Sequence, residues 1–130
     1  MALSVVLAED DPDIRLVARM ALRRAGFDVT VVRNGREALD AIRRQPPDVV
    51  LLDWMMPELD GPETCRELKA DPTTSAIPVI FLTAKSQEEE IQRGLSLGAS
   101  GYVTKPFDAL SLGQQVMDIV AAKAVTGTIR

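Results

Sequence analysis

The sequence predicts an open, doubly wound α/β fold of three layers, with a five-stranded parallel sheet between two layers of helices. Three observations carry that expectation. Strand-like and helix-like segments alternate five times along 130 residues, the pattern of consecutive βα units. The third and fourth strand-like runs, Val49-Val50-Leu51-Leu52 and Ile77–Thr83, are nearly all apolar instead of alternating, as strands covered on both faces require. A closed eight-fold barrel takes about 250 residues, roughly twice what is present.

Taken in order, LSVVLA (Leu3–Ala8) is a short β-branched run and reads as a buried strand. A helix follows, with Ile14, Val17, Ala18, Ala21, Leu22 and Ala25 at helical spacing. Asp11 is placed to cap it, Pro12 suits its first turn and Gly26 stops it. DVTVV (Asp28–Val32) is the second strand, and Arg36–Arg44 is a short helix carrying Ala38, Leu39 and Ile42. Pro46-Pro47 breaks the chain before DVVLLD, the third strand. Gly61-Pro62 opens a helix expected to turn Cys65 and Leu68 inward. The fourth strand, Ile77–Thr83, leads to a helix around Gln87–Leu97 that ends at Gly98. GYVTK is a short fifth strand, and Asp108 begins a last helix running through Leu110, Met117 and Val120. No internal repeat or low-complexity stretch interrupts the series. The expected strand order is the flavodoxin-like 2-1-3-4-5.

Composition narrows the possible chemistry. Hydrophobic residues at 46% and charged residues at 26% are those of a globular domain. A net charge of −4 without a Lys/Arg run argues against nonspecific nucleic-acid binding, which needs a basic surface. There is no histidine, and Cys65 is alone. Cys-His catalysis, Ser-His triads, imidazole-based zinc sites and an intrachain disulfide are therefore excluded. The apolar start is too short for a signal peptide, nothing approaches transmembrane length, and a cytoplasmic location is expected.

The polar residues gather where the strands end. The first strand runs into Glu9-Asp10-Asp11, the third into Asp53, the fourth into Thr83 and the fifth into Lys105. Ligands of open parallel sheets bind beyond the carboxyl ends of the strands, where strand order reverses. In order 2-1-3-4-5 that point lies between the first and third strands, where Glu9, Asp10 and Asp53 meet. Three converging carboxylates either hold protons or bind a cation. Oxygen ligands without His or Cys select a hard ion, with Mg²⁺ the expected one. Lys105 offers a point charge suited to a phosphoryl group, and Thr83 offers a hydroxyl donor. Such a set is equipped for phosphoryl transfer onto a carboxylate. Each residue also has an ordinary structural explanation. An acid after a strand caps the next helix, as expected for Asp11 and Asp13; Lys-Pro makes a surface turn; Thr favours strands. It is the convergence of four strand ends that favours chemistry.

These residues resemble the receiver domain of two-component response regulators over essentially the whole chain: VVLAEDDPDIR, PPDVVLLDWMMPELDG, IPVIFLTA and GASGYVTKPF, in order and at matching distances. The resemblance implies that Asp53 accepts a phosphoryl group from the phosphohistidine of a sensor histidine kinase or histidine phosphotransfer protein. It implies that Glu9, Asp10, Asp53 and the backbone carbonyl of Met55 hold Mg²⁺. Thr83 and the amide of Ala84 would bind phosphoryl oxygens, and Lys105 would pair with the phosphoryl charge. Thr83 and Tyr102 would form a switch, biasing the face made by the fourth helix, fifth strand and fifth helix toward an output domain or downstream protein. A cis Lys105–Pro106 bond is implied as well. The unit would catalyse its own phosphorylation and dephosphorylation without being a turnover enzyme, and would contact neither nucleic acid nor membrane directly.

Some positions vary from the family pattern. Ser100-Gly101 stands where many transcription-factor receivers have two acids, and the last helix, expected over Leu110–Val125, has no Arg. A monomer or weak dimer is therefore expected. Met55 and Lys85 flank the route of attacking water, and the apolar Met55 implies slow loss of the phosphate. The receiver unit is expected over 1–124, with 125–130 as a tail or the start of a linker. Other functions fit less well. An aspartyl-phosphate phosphatase needs a second acid after its nucleophile, whereas Trp54-Met55-Met56 follows Asp53. A nucleotide or flavin binder needs a Gly- or Ser/Thr-rich loop after the first strand, where this chain has acids. A degenerate, non-phosphorylated receiver would not need all of Glu9, Asp10, Asp53, Thr83 and Lys105.

Overall fold

Every residue of the central strand, Val49–Asp53, is buried, and its side chains alternate between two cores. Val49 and Leu51 enter one; Val50 and Leu52 enter the other, as the two-residue period of a strand dictates. The computed structural model describes residues 2–83 and 88–129, with only the backbone described over 123–129. Ten elements alternate: β1 (Ser4–Ala8), α1 (Pro12–Arg24), β2 (Asp28–Val32), α2 (Gly35–Arg44), β3 (Val49–Asp53), α3 (Gly61–Ala70), β4 (Val79–Thr83), α4 (Glu88–Ser96), β5 (Gly101–Thr104) and α5 (Leu112–Ile129). All strand pairs are parallel, in order β2-β1-β3-β4-β5. The expected flavodoxin-like sheet is the observed one.

The two cores divide the helices. Ala18 and Leu22 of α1 and Leu112 and Val116 of α5 cover one face of the sheet. Ala38, Leu39 and Ile42 of α2, with Cys65 and Leu68 of α3, cover the other. Burial raises the Cys65 thiol above its ordinary pKa, so this side chain behaves as a small core hydrophobe. Helix ends follow local chemistry. The Asp11 carboxylate accepts the Asp13 and Ile14 amides, Asn34 caps α2 and Asp60 caps α3. Gly26, at φ +101°, turns the chain out of α1 in a conformation that side chains with a Cβ disfavour. The Lys105–Pro106 peptide is cis, as expected.

The structure corrects several boundaries and helix faces. β1 starts at Ser4, β4 at Val79 after Pro78, and β5 stops at Thr104. The last helix does not run from Asp108 through Leu110. Asp108 instead accepts the Leu110 amide on its carboxylate and the Ser111 and Leu112 amides on its carbonyl. This extra turn delays α5 to Leu112 and shifts its inward face to Leu112 and Val116, with Ile119 and Val120 packed beside them. Leu110 is left 83% exposed and Met117 40% exposed. α5 then continues through Val125 to Ile129. On α1, Val17 is exposed and the buried stripe is the narrower one of Ala18 and Leu22, while Ala25 falls just past the helix end as its C-cap.

Candidate functional site

Parallel register builds the site. Ala8 pairs with Leu52, so the next residue of each strand, Glu9 and Asp53, emerges at the same edge. On the other side of β3, Asp53 pairs with Leu82 and the Trp54 amide donates to the Leu82 carbonyl at 3.1 Å. Thr83, one residue on, is the buried end of β4 and pairs with Thr104. Lys105 is next beyond, and its amide donates to the Thr83 carbonyl.

Four of the expected residues converge there. Carboxylate oxygens of Glu9, Asp10 and Asp53 lie within 4.8 Å of one another. Glu9 is fully buried, Asp53 is 7% exposed, and Asp10 faces solvent. Lys105 Nζ donates to Asp53 Oδ1 at 2.9 Å and stands 2.8 Å from Glu9 Oε1. The second contact is an ion pair without aligned hydrogen-bond geometry, and it leaves Glu9 Oε1 buried with no hydrogen bond. Glu9 Oε2 accepts the Asp11 amide at 3.1 Å.

The electrostatics follow from this crowding. Burial is the largest influence on Asp53 and, with Glu9 adding to it and Lys105 opposing it, raises the carboxyl from 3.8 to about 7. Burial by itself lowers Lys105, but contact with Glu9 and Asp53 outweighs it and holds the ammonium above its ordinary value. Among the described residues, charge in the cluster is therefore under-compensated: three carboxylates face one ammonium. A divalent cation fits this donor set. The ligands are all oxygen, they are close together, and two of them already draw on one shared ammonium.

The turn after Asp53 is held firmly. The Gly61 amide donates to the Trp54 carbonyl at 3.0 Å, the Leu59 amide to the Pro57 carbonyl, and the Gly35 amide to the Leu59 carbonyl. A Cβ at Gly61 would lie 2.3 Å from the Asp53 carbonyl oxygen, so only glycine lets α3 start this close to β3. Met55 lies in this turn with its side chain 76% exposed. Tyr102 does not join the carboxylates. It is 41% exposed and lines, with Thr83, Ile91 and Gly94, a crevice between α4 and β5. Ala84 and Lys85 lie outside the described residues.

Two contributors escaped the sequence reading. Arg15 reaches back from α1 to the carbonyls of Glu9 and Asp10 at 2.9 and 3.4 Å. Its place one turn after the acidic pair was the available signal. Trp54 packs edge-on against Phe81, with ring centroids 4.9 Å apart, and carries the Arg93 guanidinium 6.0 Å above its ring. No spacing rule joins residues 54, 81 and 93, so that contact had no sequence signal.

Comparison with known proteins agrees with this geometry. Residues 5–117 match the family model described as the response regulator receiver domain. The DNA-binding response regulator MtrA of Mycolicibacterium smegmatis is 40% identical over 112 residues, covering 86% of this chain and 48% of MtrA. The phosphate regulon transcriptional regulatory protein PhoB of Rhizobium meliloti is 38% identical over 112 residues, covering 86% of this chain and 49% of PhoB. The chain thus spans about half the length of these relatives. Among solved structures, the chemotaxis response regulator CheY4 of Vibrio cholerae superposes with a TM-score of 0.86 at 28% identity, over 92% of this chain and 99% of that one. The receiver domain of the sensor histidine kinase PA1611 from Pseudomonas aeruginosa, solved with a magnesium ion coordinated in its active-site cleft, gives 0.84 at 30% identity, over 93% and 99%.

Proposed function

The chain belongs to the response regulator receiver domain family, and from that premise we propose that Asp53 is its phosphoacceptor, with Glu9, Asp10 and Lys105 as the assisting groups. The observation that supports this most is the ammonium of Lys105 in contact with both Glu9 and Asp53 at the sheet's carboxyl edge. The donor would be the phosphohistidine of a sensor histidine kinase or histidine phosphotransfer protein. An Asp53 oxygen attacks phosphorus, the phosphorus–nitrogen bond breaks, and the imidazole leaves with the bonding pair and takes up a proton. The products are an acyl phosphate on Asp53 and a neutral histidine on the donor.

Glu9, Asp10, Asp53 and the Met55 carbonyl are the proposed ligands of Mg²⁺, the ion present in the PA1611 receiver domain. When bound, the ion neutralises charge on the transferring phosphoryl oxygens. Lys105, already on Asp53 Oδ1, passes to a phosphoryl oxygen as that carboxylate becomes an ester-like acyl oxygen. Thr83 supplies a hydroxyl from the end of β4, and the Ala84 amide is assigned a second donor role. The new charge-assisted hydrogen bonds bias the crevice shared by Thr83 and Tyr102, and with it the α4–β5–α5 face.

Signal transduction is the family's role, and the domain performs it by being modified and then bound. Catalysis is confined to its own phosphorylation and dephosphorylation, so it is not a turnover enzyme. The proposed receiver unit is 1–124, with 125–130 as a tail or the start of a linker to an output domain. The proposed setting is cytoplasmic, as a monomer or weak dimer, with the kinase and a downstream protein as partners; no helix among the described residues is long and apolar enough to cross a membrane. The test is incubation with acetyl phosphate and Mg²⁺. The expected result is a hydroxylamine-labile adduct on the native chain and none on Asp53→Asn. An adduct that survives the substitution would place the acceptor elsewhere.

A further inference from the structure

The acidic pair is useful to a cation only if its loop is held still, and the loop begins where the sheet stops supporting it. The Glu9 amide makes the last contact with the edge strand, donating to the Val32 carbonyl at 3.1 Å. Beyond it, among the described residues, the carbonyls of Glu9 and Asp10 are met by a side chain and not by a strand. Arg15, in the first turns of α1 and partly buried, covers both: Nη1 lies 2.9 Å from the Glu9 oxygen and 3.4 Å from that of Asp10. The same helix anchors the loop through the Asp11 cap and through the Arg15 amide, which donates to the Asp11 carbonyl at 2.9 Å. Among the described residues, the ion pairs of the cluster are made by Lys105 and not by Arg15. The guanidinium therefore acts on the backbone of the loop, while the carboxylates converge on Asp53.

We propose that Arg15 is a positioning residue, which stiffens the Glu9-Asp10 backbone so that its carboxylates meet a small divalent cation at fixed spacing. The inference rests on the cation reading of the acidic cluster. Its consequence concerns which ion is preferred. Mg²⁺ demands a near-ideal octahedron at short distances, whereas Ca²⁺ accepts longer and less regular ligand sets. A rigid loop favours the first ion and a loose loop favours the second. One nitrogen of an always-charged guanidinium, Nη1, reaches both adjacent carbonyls, and outer groups that orient metal ligands are worth about 10- to 100-fold in affinity.

The experiment is calorimetric titration of the whole chain with MgCl₂ and, separately, with CaCl₂, for the native protein, Arg15→Gln and Arg15→Lys. Positioning predicts that Arg15→Gln raises the Mg²⁺ Kd by about 10-fold or more, with a smaller change for Ca²⁺, so that the preference for Mg²⁺ falls. Arg15→Lys, which keeps the charge and a donor, moves the preference the same way by a smaller factor, and decides the matter if the glutamine variant does not fold. Two results overturn the inference while leaving the cluster's cation role intact. One is tighter binding of both ions, which marks Arg15 as a repelling charge only. The other is an equal change for both ions, including none, which marks a general structural role. A native chain that binds no Mg²⁺ overturns both the inference and the reading beneath it.

Discussion

Lys105 Nζ and Asp53 Oδ1 stand 2.9 Å apart, although they are 52 positions apart in the chain. The ammonium occupies the ground that a cation or phosphoryl oxygen would share. Replacing it should therefore separate binding from chemistry. Lys105→Ala is expected to bind Mg²⁺ at least as tightly as the native chain, because a competing charge is gone. Its phosphorylation by acetyl phosphate should slow by about 10²-fold, the scale for losing one preorganised charge stabiliser. Calorimetry and stopped-flow rates measured on one preparation check both halves.

Asp53 gives a pH-dependent prediction for the protein without divalent ions. Its folded pKa, about 7, lies above the ordinary 3.8, so the native state binds the proton more tightly than the unfolded chain does. Stability from the neutral carboxyl is full below pH 3.8 and is lost as pH rises through about 7. Asp53→Asn keeps the neutral form at every pH. It should match the native protein near pH 4 and exceed it at pH 8, by an upper bound of about 4 kcal/mol. Urea melts in chelator across that range test this, and added Mg²⁺ should narrow the gap at pH 8.

Gly61 is expected to be intolerant of even one methyl group. A Cβ there would lie 2.3 Å from the Asp53 carbonyl oxygen and 3.1 Å from the Phe81 ring, so backbone must move. Gly61→Ala should cost about 2–4 kcal/mol and slow phosphorylation of whatever remains folded. A neutral melt would mean that α3 can retreat from β3 without consequence.

Met55, two residues after Asp53 and 76% exposed, offers an apolar flank to water approaching an acyl phosphate. Met55→Asn adds groups that hold a water by hydrogen bonds, and should shorten the phosphate's lifetime about several-fold. The measurement is loss of the labelled adduct after the donor is removed. A native chain that loses phosphate faster than this variant would refute the assignment.

What could be read in advance, and what could not, divides along physical lines. β3 and β4 declared themselves because a strand buried on both faces has no room for polar residues before Asp53 and Thr83. Glu9, Asp53 and Lys105 could be brought together from topology alone, since parallel strands deliver their carboxyl ends to one edge. The start of α5 was misplaced because the side chain and carbonyl of Asp108 organise a turn that hydrophobic spacing does not reveal. Arg15 and the Trp54–Phe81–Arg93 contact were missed for a related reason. They depend on where a long or flat side chain comes to rest, and periodicity reports only which face it leaves from.

The packing around Trp54 has a practical corollary. It is the only tryptophan in the chain, directly follows Asp53, and touches both the Phe81 ring and the guanidinium that α4 contributes through Arg93. Its emission is thus an intrinsic optical gauge of how α4 sits on the sheet, readable without any label.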